Sequence, residues 1–171
     1  RTLEQLLLLA RLEGAAKPEK APRADALHAA QQAIDDASAV APQVGGASIR
    51  CVELQATTNA ASLAIPEALL VSALRNLLDN ALRHSPRQST VVLRIERLPG
   101  HVAFCVLDEG PGMSAAEVVQ AAQRFWRRGS GSVDGDIGSG LGLSIVDAIA
   151  RRYGGELHLE PRQVVGMEAR L

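Results

Sequence analysis

Residues 66–84 read PEALLVSALRNLLDNALRH, and this stretch sets the architecture because its apolar side chains recur with the period of an α-helix. At about 100° per residue, one arc of that helix is apolar and carries Leu70, Leu74, Leu77, Leu78 and Ala81. The opposite arc is polar and carries Ser72, Asn76, Asn80 and Arg83. Pro66 suits the first helical position, which needs no N–H. We therefore expect an amphipathic helix over 66–84 that buries its leucines and presents a stripe of amides.

The segments on either side of this helix alternate between helical and extended patterns. Further helices are predicted over 3–14, 25–40, 114–124 and 141–153. Strands are predicted over 48–54, 61–65, 90–98, 101–107, 156–160 and 164–171. The two strands that flank Pro99-Gly100 should form a hairpin, and Asp25 should cap the second helix. This mixture predicts a domain of the α+β class.

The composition excludes several classes of protein. Of the 171 residues, 47% are hydrophobic and 22% are charged, which is typical of a globular chain rather than a disordered one. The leucine-rich run 6–10 is far shorter than the roughly 20 residues of a membrane span. A net charge of −1 and an aromatic content of 2% offer neither a polyanion-binding field nor stacking platforms, so no nucleic acid partner is expected. Cys51 and Cys105 lie in separate strands without metal-binding spacing, which predicts buried, reduced thiols.

The chain divides into a short leading helix and a main domain. The first helical pattern stops at Gly14, and the next residues include Pro18 and Pro22 among charged side chains, as in an exposed linker. We expect residues 1–13 to be the end of a longer helix, 14–24 to be a linker and 25–171 to be the main domain.

Asn76 and Asn80 stand one turn apart on the polar arc, and Arg83 follows them on the same side. Amide oxygens are hard ligands that suit a Mg²⁺ ion which keeps its waters and its nucleotide phosphates. A guanidinium can neutralise phosphate charge that the metal does not. A solvated helix face would show the same pattern, so the stripe alone does not establish a metal site.

Asp108 follows an apolar strand and opens the segment Asp108-Glu109-Gly110-Pro111-Gly112-Met113. A carboxylate at a strand end can accept a hydrogen bond from an exocyclic amine such as that of adenine. Gly110 and Gly112 would let a flat ligand approach the backbone. An ordinary Asp-Gly turn is the alternative interpretation.

A glycine-rich segment, Gly138-Ser139-Gly140-Leu141-Gly142-Leu143, opens the last predicted helix. The free N–H groups and the positive dipole end of a helix start form an anion site that glycines can bring close to a phosphate. Leu143 stands where a Rossmann fingerprint needs its third glycine, and the sequence has no GxxxxGK[ST] loop. Dinucleotide-binding and P-loop sites are therefore excluded. A glycine C-cap would belong to the other end of a helix.

In order and spacing, these segments resemble the ATP-binding catalytic domain of two-component sensor histidine kinases. That family lies within the wider superfamily of gyrase, heat-shock chaperone, histidine kinase and MutL ATPases. Residues 74–86 are similar to the family's N box, 108–113 to its G1 box, 124–127 to its F box and 138–143 to its G2 box.

The resemblance covers about 25–171, and residues 6–13 are similar to the end of the second dimerisation helix of these kinases. It implies a two-layer α/β sandwich of the α+β class, in which three helices cover one face of a mixed β-sheet. Residues 125–137 would form an ATP lid. Trp126 stands where the family more often has Tyr.

Position by position, the resemblance implies a Mg-ATP site. Asn80 would be the principal Mg²⁺ ligand, and Asn76 would be a second ligand or an orienter of its waters. Arg83 would reach a phosphate, His84 would lie against the adenine, and Asp108 would bind the adenine amine. The expected catalytic residues are Asn76, Asn80 and Arg127, the last as a phosphate or acceptor contact. The expected nucleotide-binding residues are Asn76, Asn80, Arg83, His84, Asp108, Gly110, Gly112, Met113, Phe125, Arg127, Gly138, Ser139, Gly140, Leu141, Gly142 and Leu143.

The implied reaction is ATP-dependent phosphoryl transfer to a histidine of the dimerisation domain, with a response regulator as the next partner. The superfamily's ATPases place a glutamate where this chain has Asn76, and an amide cannot take a proton from water. Transfer to an imidazole needs mainly positioning and charge neutralisation, so the asparagine favours a kinase over a hydrolase.

The acceptor histidine is expected upstream of Arg1, because no histidine of this chain lies in a His-Glu-x-x-Thr-Pro-like context. We expect a cytoplasmic domain of a homodimer anchored in the inner membrane. One alternative is a nucleotide-binding regulatory module without transfer activity. Another is a serine kinase of the anti-sigma-factor type, which the leucine-rich residues 6–12 disfavour because such kinases are stand-alone domains.

Overall fold

The computed structural model describes residues 2–14, 22–40, 51–57, 61–86, 88–121, 123–126, 139–162 and 165–171. Its helices are α1 (Thr2–Gly14), α2 (Ala26–Val40), α3 (Glu67–His84), α4 (Ala115–Ala121) and α5 (Gly142–Tyr153). Its strands are β1 (Ala24–Asp25), β2 (Cys51–Ala56), β3 (Ser62–Leu63), β4 (Thr90–Leu98), β5 (His101–Leu107), β6 (His158–Pro161) and β7 (Met167–Arg170). Every predicted helix and strand has a counterpart, and β1 is an addition. No helix in these ranges is long and apolar enough to cross a membrane.

A mixed β-sheet forms one layer of the domain. Within the described ranges its order is β2-β4-β5-β7-β6, with β2 parallel to β4 and the other neighbours antiparallel. β4 and β5 form the predicted hairpin, in which Leu98 pairs with His101. β1 and β3 pair separately, and Ala24 of the predicted linker is fully buried opposite Leu63. The prediction of an α+β sandwich with a mixed sheet is confirmed.

Helices α2, α3 and α5 form the second layer and pack on one face of this sheet. The apolar arc of α3 is buried as predicted, with Leu74 and Leu78 fully inaccessible and Leu77 1% exposed. These leucines share one core with Leu93 of β4 and Val106 of β5. Burying each such side chain contributes about 1.5–3 kcal/mol. The leucines therefore fix the rotation of α3 and leave its polar arc available for a site.

The starts of α2 and α3 test the predicted roles of Asp25 and Pro66. Asp25 Oδ1 accepts a hydrogen bond from the N–H of His28 at 2.9 Å, so Asp25 caps α2 as expected. The position predicted for Pro66 is wrong by one residue. Its carbonyl accepts the N–H groups of Leu69 and Leu70 at 3.0 and 3.2 Å, which makes Pro66 the N-cap and Glu67 the first helical residue. A proline is tolerated there because no helix hydrogen bond needs that N–H.

Helix α4 ends at Ala121 rather than at the predicted Arg124. It begins with a capping box, in which Ser114 Oγ accepts the N–H of Glu117 at 3.3 Å and Glu117 Oε2 accepts the N–H of Ser114 at 2.7 Å. Beyond it, Phe125 has a φ of 61°, a left-handed conformation that an α-helix cannot contain. The chain is therefore no longer helical at Phe125.

Helix α1 packs on α5 through one of its sides. Leu9 and Leu12 are buried, and Arg152 Nη1 donates to the carbonyl of Leu12 at 2.9 Å. Leu3 and Leu7 are 70% and 51% exposed. The apolar side chains of α1 are thus divided between a contact with the domain and an exposed surface.

The opposite face of the sheet carries a second small cluster of Ala103, Cys105 and Leu107, because side chains alternate along β5. Cys105 is a free and fully buried thiol, as predicted. Burial raises the pKa of the Cys105 thiol above its ordinary value of 9.0, against a smaller lowering by Arg170. The side chain of Cys51 lies outside the described residues.

Burial of the neutral Cys105 thiol should contribute to the free energy of unfolding in a way that depends on pH in the alkaline range. The folded-state pKa is raised, so this contribution is fully present below pH 9.0 and is lost as pH rises through the folded-state value. One pKa unit corresponds to about 1.4 kcal/mol. Urea unfolding across a pH series should therefore show a flatter alkaline decline of unfolding free energy for Cys105→Ala than for the parent. Equal slopes would contradict the burial of an ionisable thiol.

Candidate active site

Asn76 lies on the polar arc of α3 with its amide held in one orientation. Its Nδ2 donates to the main-chain carbonyl of Ser72 at 2.8 Å. Because a carbonyl only accepts, this bond identifies the amide nitrogen and turns Oδ1 away from Ser72. A Cβ on Gly142 would lie 3.3 Å from Asn76 Oδ1, so this oxygen faces the first residue of α5. The structure therefore brings Asn76 of the amide stripe next to Gly142 of the glycine loop (residues 138–143), of which residues 139–143 are described.

Asn80 lies one turn further along α3 and is half-buried. Its amide has no hydrogen bond to any residue in the described ranges. The two asparagines thus offer one oriented oxygen and one amide that no described residue engages. Neutral oxygen donors of this kind fit a Mg²⁺ ion that keeps several of its waters and is held mainly by phosphates.

Helix α5 begins with main-chain donors directed at this region. Leu141 is the N-cap, whose carbonyl accepts the N–H of Ile145 at 3.0 Å, and it gives no side-chain hydrogen bond to the first turn. Gly140 has a φ of 67° and introduces the helix from a left-handed turn. The first N–H groups of a helix and its dipole favour a bound phosphate.

The hydroxyl of Ser139 is used within the chain. It donates to Gln5 Oε1 of α1 at 2.8 Å and accepts the N–H of Leu141 at 3.3 Å. A phosphate contact of Ser139 would compete with Gln5 for the same proton, and it stays a prediction. Gly138 and Arg127 lie outside the described residues.

Three of the predicted nucleotide-binding residues have apolar side chains that belong to the core. Leu141 is fully buried and Leu143 is 9% exposed. Met113 is half-buried and packs against the same core. For the two leucines, the main chain is the part that remains available to a ligand.

Asp108 follows β5 and is 6% exposed. Its Oδ1 accepts two main-chain hydrogen bonds, from Gly110 at 2.8 Å and from Met167 at 3.1 Å. Neither bond uses Oδ2. The carboxylate is therefore fixed by one oxygen and can offer the other to a donor such as an exocyclic amine, which fits the predicted adenine contact.

Gly110 and Gly112 permit close approach of the chain's own backbone. A Cβ on Gly110 would lie 2.8 Å from the carbonyl oxygen of His84, at the end of α3. A Cβ on Gly112 would lie 3.3 Å from the carbonyl oxygen of Gly166. The Asp108 loop (residues 108–113) thus packs closely against the end of α3 and against Gly166, which precedes β7. Contact of these glycines with a flat ligand stays a prediction.

The side chains of Arg83 and His84 are exposed at the end of α3, next to the Asp108 loop. This position is compatible with their predicted contacts to a phosphate and to adenine. Both residues take part in interactions within the chain. Their roles toward a nucleotide stay predictions.

Phe125 is bound to the glycine loop. Its N–H donates to the carbonyl of Gly140 at 3.0 Å, and a Cβ on Gly140 would lie 2.8 Å from the Cα of Phe125. The Phe125 side chain is 59% exposed, whereas Trp126 is half-buried and donates from Nε1 to Gln120 at 2.9 Å. Phe125, the first residue of the predicted lid, is therefore bonded to the glycine loop, and residues 127–137 of that lid lie outside the described residues.

Sequence reasoning missed the residues that hold the site in place. Ser72 orients Asn76 through a main-chain carbonyl, which carries no side-chain signal. Met167 bonds the Asp108 carboxylate, and Arg162 Nη1 donates to the Asp108 carbonyl at 2.8 Å. An isolated glycine in a strand pattern can mark a close approach of two backbones. Gly166 was therefore the one sequence signal that could have indicated the contact with Asp108.

Comparisons with known proteins identify the family. The family model for histidine kinase-, DNA gyrase B- and HSP90-like ATPases matches residues 66–171. The chain belongs to this family. Sensor protein QseC of Escherichia coli is 32% identical over 173 residues, covering 100% of this chain and 36% of QseC. The probable sensor histidine kinase TcrY of Mycobacterium tuberculosis is 34% identical over 158 residues, covering 92% of this chain and 32% of TcrY. The chain thus matches only part of the length of these relatives.

Solved structures of histidine kinases share the fold. The cytoplasmic segment of QseC aligns with a TM-score of 0.66 and 26% identity, covering 98% of this chain and 87% of that one. Full-length ShkA, solved in complex with AMPPNP, aligns with a TM-score of 0.78 and 24% identity, covering 99% of this chain and 34% of that one. The chain therefore contains the catalytic ATP-binding domain of a histidine kinase.

Proposed function

We propose that this histidine kinase domain binds Mg-ATP and transfers the γ-phosphoryl group to a histidine of a dimerisation domain, which then serves a response regulator. The observation that carries the proposal is the approach of Asn76 Oδ1 to Gly142, which puts the amide stripe beside the N-terminus of α5. Asp108 supports the adenine end of the site, because both hydrogen bonds to its carboxylate leave Oδ2 unused.

The residues of this site bind and position rather than react. In the transfer, the bond between the γ-phosphorus and the oxygen that bridges it to the β-phosphate breaks, and ADP keeps the electron pair. The γ-phosphorus forms a new bond to a ring nitrogen of the acceptor histidine. The first N–H groups of α5 would hold the phosphates, and Asn76 and Asn80 would supply oxygens to Mg²⁺. The bound Mg²⁺ would neutralise phosphate charge. Such transfer relies on positioning and electrostatic stabilisation.

Asn76 favours transfer over hydrolysis. Hydrolysis requires a base that takes a proton from water, and a side-chain amide has no such capacity. The amide nitrogen of Asn76 is also engaged by the carbonyl of Ser72. A strongly nucleophilic imidazole does not need that base, so the site suits a histidine acceptor.

The acceptor histidine is proposed to lie in another segment of the kinase. Within this chain, His28 contacts Glu67 at 2.8 Å and His158 contacts Glu156 at 3.1 Å, both on the surface. Residues 1–13 would be the end of a dimerisation helix, 14–24 a linker and 25–171 the catalytic domain. The domain would lie in the cytoplasm as part of a membrane-anchored homodimer.

Phosphate transfer to a supplied acceptor tests this function. The chain, radiolabelled ATP and Mg²⁺ should label a separately supplied histidine-bearing dimerisation domain, with phosphate that is lost in acid and kept in alkali. The chain alone should remain unlabelled. Acid-stable label on the acceptor, or release of free phosphate without labelling, would contradict the proposal.

A further inference from the structure

Arg162, which follows β6, and Met167, the first residue of β7, form hydrogen bonds with Asp108 at the end of β5. The N–H of Asp108 donates to the carbonyl of Met167 at 3.0 Å, and its Oδ1 accepts the N–H of Met167 at 3.1 Å. Its main-chain carbonyl accepts a hydrogen bond from Arg162 Nη1 at 2.8 Å. Met167 thus binds both the main chain and the carboxylate of Asp108, and Arg162 binds its main chain.

Arg162 joins the two sides of this contact. Its own N–H donates to the carbonyl of Gly166 at 3.0 Å, while its guanidinium donates to the carbonyl of Asp108. Gly166 has a φ of 100°, and a Cβ there would collide with the carbonyl oxygen of Asp108. That carbonyl is therefore covered by Gly166, and Arg162 provides its hydrogen bond.

The geometry points to Arg162 as a positioning residue for recognition of the base. By holding the carbonyl of Asp108, Arg162 fixes the place at which Asp108 Oδ2 meets an exocyclic amine of a purine nucleotide. Arg162 contacts the main chain of Asp108 and acts on the ligand through the Asp108 carboxylate. This inference rests on the proposed function, because it takes Asp108 as the group that reads adenine.

The test compares ATP with purine riboside triphosphate, which lacks only the exocyclic amine. Arg162→Ala should lower the ratio of the two affinities by about tenfold, since a misplaced charged acceptor loses about one charge-assisted hydrogen bond. Arg162→Lys keeps one donor and should restore part of the ratio. The control is Arg151→Ala, which removes an exposed arginine paired with Asp147 on α5 and should leave the ratio unchanged.

A second readout needs no nucleotide. In the nucleotide-free chain, Arg162→Ala should speed hydrogen exchange of the Met167 N–H, which donates to Asp108, while the melting temperature stays near that of Arg151→Ala. A parental affinity ratio in Arg162→Ala, or an equal loss of affinity for both nucleotides, would overturn the positioning role. A parent chain that binds neither nucleotide would instead overturn the proposed function, and this inference with it.

Discussion

Replacing Asp108 by asparagine is expected to weaken ATP binding by about ten- to a hundredfold while the domain stays folded. Asparagine has the same shape, and its Oδ1 can still accept the N–H groups of Gly110 and Met167. Its Nδ2, however, would take the place of Oδ2 and present a donor where the adenine amine also donates. Loss of a charge-assisted hydrogen bond costs about 1.5–3 kcal/mol, and about 1.4 kcal/mol is tenfold in affinity.

The same exchange should also change which base is preferred. Inosine triphosphate carries an acceptor oxygen where adenine carries its amine, so Asp108→Asn should lose less affinity for it than for ATP. Titration calorimetry of both nucleotides measures the change. The control is Glu109→Gln, which neutralises the exposed neighbouring carboxylate and should leave both affinities near those of the parent. A folded Asp108→Asn that binds ATP as tightly as the parent would remove Asp108 from the site.

Asn80→Ala is expected to abolish the part of nucleotide binding that depends on Mg²⁺ and to slow phosphate transfer by about a hundredfold. Asn80 is half-buried and its amide has no hydrogen bond to the described residues. Its loss should therefore change the free energy of unfolding by no more than about 0.5 kcal/mol. A large loss of function with little loss of stability is what a metal ligand predicts.

The measurement combines three quantities for each variant: melting temperature, AMPPNP affinity with and without Mg²⁺, and transfer to a supplied acceptor domain. Gln32→Ala, which removes an exposed amide from α2, is the matched control. The interpretation of Asn80 as an ordinary helix-surface residue predicts that all three quantities match this control. Transfer by Asn80→Ala at the parental rate would eliminate its role as a metal ligand.

Local patterns were sufficient to predict the elements that carry the site. Burial of Leu74 and Leu78 sets the orientation of α3 about its axis. The placement of Asn76 and Asn80 on the side away from the core follows from it. The hairpin at Pro99-Gly100 was predicted for the same reason, because its signal lies within a few adjacent residues.

Contacts between distant segments could not be predicted. Asp108 is hydrogen-bonded to Arg162 and Met167, more than 50 residues away in sequence. No local pattern indicates which distant residues will contact the end of a strand. The bond between Ser139 and Gln5 likewise joins the glycine loop to α1. Gly110 was predicted to let a flat ligand approach the backbone, whereas the structure shows it close to the carbonyl of His84, a contact that the sequence did not indicate. These features depend on tertiary packing, which the spacing of residues along the sequence does not predict.

An amide chemical-shift titration of the chain with AMPPNP and Mg²⁺ tests the location of the site most directly. The account predicts saturable binding, with the largest shifts at the N–H groups of Gly110, Met167 and Gly142 and at the side-chain amide of Asn76. Shifts concentrated on the opposite face of the sheet, around Arg94, or no saturable binding with Mg²⁺ present, would contradict it.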